Sequence, residues 1–148
     1  LNDAVQSCTA DIESQAATIT MDSCGPAPHL EGCHDDLVAA FSNLINNALD
    51  ASTTEPNITI RSRIRNNRLA VIQIADRGCG IPTAAIDRIF DPFFTTRAAG
   101  NGLGLAVVAG TITQHGGTIR AANRPGGGAE FTILLPIKPV REAYAEIV

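Results

Sequence analysis

The sequence predicts an α+β fold, a two-layer sandwich in which a mixed sheet of about five strands is covered on one face by about three helices. Three observations carry this. Ile58, Ile60 and Ile64 alternate with polar residues, the mark of a half-buried strand, whereas 37–52 and 102–115 repeat their apolar residues at helical spacing. The last two strand-like runs join across Gly126-Gly127-Gly128, so they pair antiparallel and the fold is not doubly wound. Gly100 to Gly104 misses the Gly-x-Gly-x-x-Gly spacing, and no Gly-Lys-Ser or Gly-Lys-Thr occurs, which excludes the two common phosphate-loop solutions.

Asn2 to Ala17 spaces Val5, Cys8, Ile12 and Ala16 as one helix, and Ala17 to Asp22 reads as a short strand. Ser23 to Gly32 is a loop by its glycines and prolines. His34-Asp35-Asp36 offers acids and an N-cap to a strong helix over Leu37 to Ser52, apolar along Leu37, Phe41, Leu44, Ile45, Ala48 and Leu49. Two strands follow, 58–65 and 68–75, turned at Asn66-Asn67, with Arg61, Arg63 and Arg65 on the first strand's solvated outer face. Pro82 to Phe90 reads as one short helix and Gly102 to His115 as a second apolar helix. Thr118 to Ala122 and Ala129 to Leu135 form the closing hairpin. The tail from Pro136 ends in a helical phrase, Arg141 to Val148.

At 148 residues the chain is one domain with room for a core. Its net charge is −4 and its basic residues are scattered, which argues against nucleic acid as a main partner. No apolar run is long enough to span a bilayer, and no signal-peptide pattern is present. Cys8, Cys24, Cys33 and Cys79 have neither Cys-x-x-Cys nor zinc spacing, which reads as reduced thiols in a cytoplasmic protein. The chain begins without methionine, as expected of a fragment of something longer.

The chemistry concentrates between Asp76 and Gly104. An acid ends the apolar run Val71-Ile72-Gln73-Ile74, and Gly78 and Gly80 follow at alternate positions, where a ligand can approach the main chain. Gly100, Gly102 and Gly104 open the second apolar helix, whose free N–H groups suit a phosphate. An acid at one end, amides at the other and a loop between them suggest a nucleotide pocket with a lid. The asparagines of the first strong helix add to this. Asn43 and Asn47 lie one turn apart on one face, and Asn46 and Asp50 form a second such pair. Asparagine is a mediocre helix former, so the cluster reads either as a solvated polar face or as uncharged oxygen ligands for Mg²⁺.

These motifs resemble, in order and spacing over residues 1–137, the ATP-binding (Bergerat-fold) catalytic domain of bacterial two-component sensor histidine kinases, in the GHKL ATPase superfamily. Phe41-Ser-Asn-Leu-Ile-Asn-Asn-Ala-Leu-Asp-Ala is similar to the N box, and Asp76-Arg-Gly-Cys-Gly-Ile to the first glycine box. Ile89-Phe-Asp-Pro-Phe-Phe-Thr-Thr is similar to the F box, and Gly100 to Leu105 to the second glycine box. Gly126 to Phe131 is similar to the closing turn and strand. The resemblance implies ATP and Mg²⁺ as cofactors. It makes Asp76 the acceptor for the adenine amino group, Asn47 the Mg²⁺ ligand with Asn43 assisting, and Asn43, Asn47 and Arg97 the catalytic set. It extends the nucleotide contacts to Asp50, Gly78, Gly80, Ile81, Phe90, Thr95, Thr96, Gly100, Gly102, Leu103, Gly104, Leu105 and Thr132. Phe90, Phe93 and Phe94 would hinge and anchor the lid. Arg97 stands where relatives often carry lysine, and reads either as a phosphate contact or as a solvated lid charge.

One departure divides the superfamily. The hydrolysing gyrase and mismatch-repair types carry a glutamate base where this chain has Asn43, which cannot take a proton from water. The resemblance therefore implies phosphoryl transfer to a histidine on a separate dimerisation domain, and onward to the receiver domain of a response regulator. Among His29, His34 and His115 none fits that acceptor: His34-Asp35 lies directly before the N box, with no room for a hairpin, and His115 suits a helix C-terminus. The isolated domain is then expected to be a weakly active monomer, the full-length protein a homodimer, and the setting cytoplasmic. Residues 138–148 are read as a tail outside the domain. Two other readings stay open, a free-standing serine kinase of the anti-sigma type and a hydrolysing ATPase.

Overall fold

The alternation of apolar and polar residues in the strands sets one face of a sheet against the helices. In the computed structural model, which describes residues 1–25, 28, 30–52, 54–98 and 100–137, the elements run α1 (Asn2–Ser7), α2 (Thr9–Ser14), β1 (Thr18–Cys24), α3 (His34–Asp50), β2 (Asn57–Arg65), β3 (Leu69–Ala75), α4 (Gly104–Gln114), β4 (Thr118–Asn123) and β5 (Ala129–Pro136). The five strands form one sheet in the order β1-β2-β3-β5-β4. Only β1 and β2 are parallel; the remaining pairs are antiparallel, so the sheet is mixed as expected.

The turn between β2 and β3 follows from its residues. Asn66 and Asn67 both take positive φ (53° and 51°), the geometry of a two-residue hairpin, and Arg68 N–H closes it on Arg65 O at 3.1 Å. Ile58, Ile60, Ala70, Ile72, Ile74, Phe131, Ile133 and Leu135 point into the layer beneath α3 and α4, where they meet Leu44, Ile45, Leu49, Val108 and Ile112. Arg61, Arg63 and Arg65 are exposed on the other face, as their alternation predicts.

The helices depart from expectation in four places. The N-terminal helix is two six-residue helices rather than one, broken at Cys8 (φ −98°, ψ 7°). Ser7 Oγ, one residue earlier, donates to Ala4 O at 2.8 Å and meets Ser42 Oγ at 2.6 Å, a local side-chain competition that disfavours continuation. Buried Ala4 and Cys8 still join the core, which ties this segment to the sheet domain. α3 starts at His34, so Cys33 is its N-cap, without a side-chain bond; Asp35 and Asp36 lie in the first turn, where their charge suits the helix dipole. Pro82 to Phe90 is a succession of turns and not a helix. Only every third amide is bonded (Ala85 to Pro82 O, Arg88 to Ala85 O), while buried Ala85 and Ile89 pin the segment to the core. α4 begins at Gly104, after the glycine-rich turn. The phrase Arg141 to Val148 lies outside the described residues.

The closing hairpin gives a test of how tightly the sheet end is built. Gly126 and Gly128 both take positive φ (86° and 89°), but a Cβ on Gly126 meets nothing within 4 Å, whereas one on Gly128 runs into the main chain of Asp76 and Arg77. Gly126→Ala should therefore lose only the left-handed strain, about 1 kcal/mol. Gly128→Ala should lose ~3 kcal/mol or more, because a backbone contact cannot yield cheaply. Urea unfolding of the two variants checks the difference, and equal losses would contradict it.

Candidate functional site

The ends of β3 and β5, the middle of α3 and the glycine-rich turn before α4 enclose a cleft of about 1030 Å³, at the upper end of small-molecule sites. At its inner end Asp76, 2 % exposed, follows β3. Its Oδ1 accepts the N–H groups of Gly78 (2.8 Å) and Ala129 (3.1 Å), and no described residue bonds Oδ2. That second oxygen is open to the cleft, where a ligand can donate to it. Arg124 Nη1 donates to Asp76 O (2.6 Å), and Asp76 N–H to Ala129 O (2.9 Å), so the acid's main chain is held from both sides.

The loop after Asp76 is fixed by groups that the sequence reading did not single out. Asn123, the last residue of β4, accepts Ile81 N–H and donates to Ile81 O, both at 2.7 Å. Cys79 N–H donates to Ala51 O at 3.0 Å, and a Cβ on Gly78 would strike Ala51, so the loop must lie against the end of α3. Ala51, Pro82, Thr83, Ala129 and Phe131 also line the cleft. Ala129 was findable, being the first residue after the triple glycine; nothing in the pattern marks Asn123.

At the outer end Asn43, Asn47 and Asp50 line the cleft from one face of α3. A Cβ on Gly104 would lie 3.8 Å from Asn43 Oδ1, which brings the asparagine face against the start of α4. Asn101 Oδ1 accepts Leu103 N–H (3.1 Å), and the first helical bond is Val107 N–H to Leu103 O (2.9 Å). The N–H groups of Gly104, Leu105 and Ala106 thus remain donors at the positive end of the helix, a ready anion site. Gly102 takes φ 69°, and a Cβ there would strike the main chain of Phe93 and Phe94.

Of the expected site residues, Asn43, Asn47, Asp50, Asp76, Gly80, Ile81, Thr95, Thr96, Arg97, Gly100, Gly102, Gly104 and Leu105 line the cleft. Gly78, Phe90, Leu103 and Thr132 do not. Gly78 serves the turn that satisfies Asp76. Phe90 packs its ring on Phe131, centroids 6.3 Å apart at 79°. Leu103 caps α4, with its side chain partly in solvent. Thr132 belongs to the opposite sheet face: on β5, residues 129, 131 and 133 are buried toward the helices, and Thr132 sits across from Gln73 and Arg120. The period of two therefore places Ala129, and not Thr132, beside Asp76. Phe94 lines the cleft beneath the guanidinium of Arg88 (4.5 Å to the ring centroid), whereas Phe93 is exposed with φ 65°. Asn46 Oδ1 is buried without a described partner.

The donor set fits the expected groups. Asp76 Oδ2 suits an amino group, the α4 amides suit phosphate, and the side-chain oxygens of Asn43, Asn47 and Asp50 suit a hard cation such as Mg²⁺. Among the described residues no three His, Cys, Asp or Glu cluster as a metal site, so the protein's oxygens for a cation here would be those of Asn43, Asn47 and Asp50.

The sequence of residues 32–139 matches the family described as "Histidine kinase-, DNA gyrase B-, and HSP90-like ATPase". The chain belongs to that family. The signal transduction histidine-protein kinase AtoS of Escherichia coli (strain K12) is 45% identical over 97 residues, spanning 66% of this chain and 16% of its own length. The sensor histidine kinase ZraS of Klebsiella oxytoca is 37% identical over 133 residues, spanning 90% of this chain and 29% of its own length. The chain thus spans less than a third of the length of these relatives. Among solved structures, the catalytic domain of histidine kinase ThkA superposes with a TM-score of 0.83 at 26% identity, covering 93% of this chain and 92% of that one. The mycobacterial sensor histidine kinase MprB superposes with a TM-score of 0.80 at 25% identity, covering 93% and 94%. The chain is therefore an ATPase catalytic domain of the histidine-kinase type, which favours the kinase reading over the serine-kinase and hydrolase readings. No helix among the described residues is long and apolar enough to cross a membrane.

The two described histidines are structural. His34 Nε2 meets Asp3 Oδ2 at 2.8 Å and Nδ1 meets Asp35 Oδ1 at 3.3 Å, joining α1 to the start of α3. His115 accepts Cys33 N–H at Nε2 (3.0 Å) and meets Thr111 O at Nδ1 (2.7 Å), so it clasps two segments. His29 lies outside the described residues. The hydrogen bonds to Asp35 and then Asp3 hold the His34 imidazolium above its ordinary 6.5. The native state thus binds the proton more tightly than the unfolded chain. The stabilisation is complete below pH 6.5 and lost as pH rises through the raised value. An NMR titration should give a His34 pKa above 6.5 that Asp3→Asn moves back toward it; an unchanged value would remove the clasp.

Proposed function

We propose that this domain binds Mg²⁺-ATP in the cleft and places the γ-phosphate for transfer to a histidine on the dimerisation domain of the same kinase. The phosphoryl group then passes to the receiver domain of a response regulator. Residues 1–137 form the binding unit, residues 138–148 are a tail outside it, and the setting is the cytoplasm. The supporting observation is the chemistry of the cleft's acids. Among the described lining residues the only carboxylates are Asp76, buried at the inner end, and Asp50, paired to Arg97 at 2.7 Å. Asn43, one turn before Asn47 at the outer end, cannot take a proton from water, which suits transfer to a partner better than hydrolysis.

The residues divide the work. Asp76 Oδ2 accepts the adenine amino group, and Ile89 and Phe131 give the base an apolar wall. The amides of Gly104, Leu105 and Ala106 hold phosphate oxygens, and Thr95, Thr96 and Arg97 close over them from the loop. Asn47, assisted by Asn43, would hold Mg²⁺, whose chemistry is to neutralise charge across the phosphates. Positioning and charge stabilisation are the main contributions asked of a protein in phosphoryl transfer.

Calorimetric titration with a non-hydrolysable ATP analogue tests this, with and without Mg²⁺. Binding should strengthen with Mg²⁺ in the wild type, and Asn47→Ala should remove most of that gain while leaving the metal-free affinity within about threefold. No binding by the wild type would refute the proposal.

A further inference from the structure

The guanidinium of Arg97 lies on the side-chain oxygens expected to face the metal. Nη1 donates to Asp50 Oδ2 at 2.7 Å and to Asn47 Oδ1 at 3.4 Å, while Nη2 donates to Asn47 O at 3.0 Å. Arg97 is the only basic residue lining the cleft among those described. Its planar fork spans oxygens three residues apart on one helix face, a geometry that a lysine ammonium would not reproduce. We propose that Asp50 is a positioning residue that parks Arg97 on Asn47, so that arginine and divalent cation compete for the same amide oxygen. This rests on the reading of Asn47 as the metal ligand.

The competition follows from charge and distance. A Mg²⁺ ligand sits about 2.0–2.1 Å from the ion, so a guanidinium kept on the same oxygen would set two positive charges against each other at close range. Arg97 must therefore withdraw when the metal enters, and the phosphates that arrive with it are the natural second station for the freed cation. The backbone permits this exchange. Thr95 Oγ1 accepts Arg97 N–H (3.1 Å) and donates to Arg97 O (3.3 Å), a local turn that is independent of where the side chain points. The parked pair is also weak enough to yield. Its side chains are 42% and 57% exposed, and such an ion pair biases an equilibrium by no more than about fivefold. Asp50 thereby makes the metal-free domain hold its lid arginine in readiness, and ties release of the lid to metal entry.

Two measurements test this. Without nucleotide or metal, trypsin should cut after Arg97 about two- to fivefold faster in Asp50→Asn than in wild type, since cleavage requires the side chain to leave its partners. Asp50→Glu should restore the slow rate, and cleavage after Arg88 should be unaffected. With Mg²⁺ alone and no nucleotide, so that no phosphate is present for Arg97 to hold, NMR shifts of the Asn47 side-chain amide should reach half their maximum at about two- to fivefold lower Mg²⁺ in Arg97→Met than in wild type. Cleavage of Asp50→Asn at the wild-type rate would overturn the parking role. An unchanged or raised Mg²⁺ requirement in Arg97→Met, with the wild type binding normally, would overturn the competition alone. No Mg²⁺-dependent binding by the wild type would instead remove the metal site on which the inference stands.

Discussion

A single buried carboxylate constrains this domain more than any other group. Asp76 ends the central strand, where an unsatisfied anion would be severely destabilising. The chain meets that demand with two backbone N–H groups on one oxygen, from Gly78 two residues later and from Ala129 across the sheet. Each donor imposes a consequence. The Ala129 bond fixes the register of β3 on β5, Ala75 opposite Glu130, and requires Gly128 to pass so close that no side chain fits. The Gly78 bond folds the next loop against Ala51 at the end of α3. Sheet register, closing hairpin and cleft wall thus depend on one group, which still keeps a second oxygen for a ligand.

The outer end of the cleft is built on a different principle. Its groups are neutral amides, a helix terminus and one exposed ion pair, none of which demands burial. Strong, fixed contacts at the base end and weak, exchangeable ones at the phosphate end suit a ligand whose base must be recognised and whose terminal phosphate must leave. The ion pair between Arg97 and Asp50 belongs to the exchangeable part, and its exposure is what allows it to rearrange.

The layered fold was legible because its cues are local. Alternation over Ile58 to Ile64, the Asn66-Asn67 turn and the triple glycine each specify a strand or hairpin without tertiary help. The break at Cys8 was not legible, since it depends on Ser7 meeting Ser42 from a distant helix. The non-helical course of Pro82 to Phe90 was hidden for a similar reason: Asn123 fixes its entry, and Ala85 and Ile89 are drawn to the core. In the site, residues whose side chains carry the chemistry were found by spelling. Those that act by register or support, such as Ala129, Asn123 and Arg124, carry no signature of their own. Thr132 illustrates the limit, because its residue type suggested a contact that the two-residue period of the strand turns to the other face.

The account stands or falls on Asp76 Oδ2 as the group that reads the base. The most direct measurement compares wild-type binding of ATP with that of inosine triphosphate, which carries an oxygen where adenine carries its amino group. A carboxylate held by two backbone bonds cannot turn away, so the account predicts inosine triphosphate weaker by about a hundredfold or more. Equal affinity for the two nucleotides would contradict it.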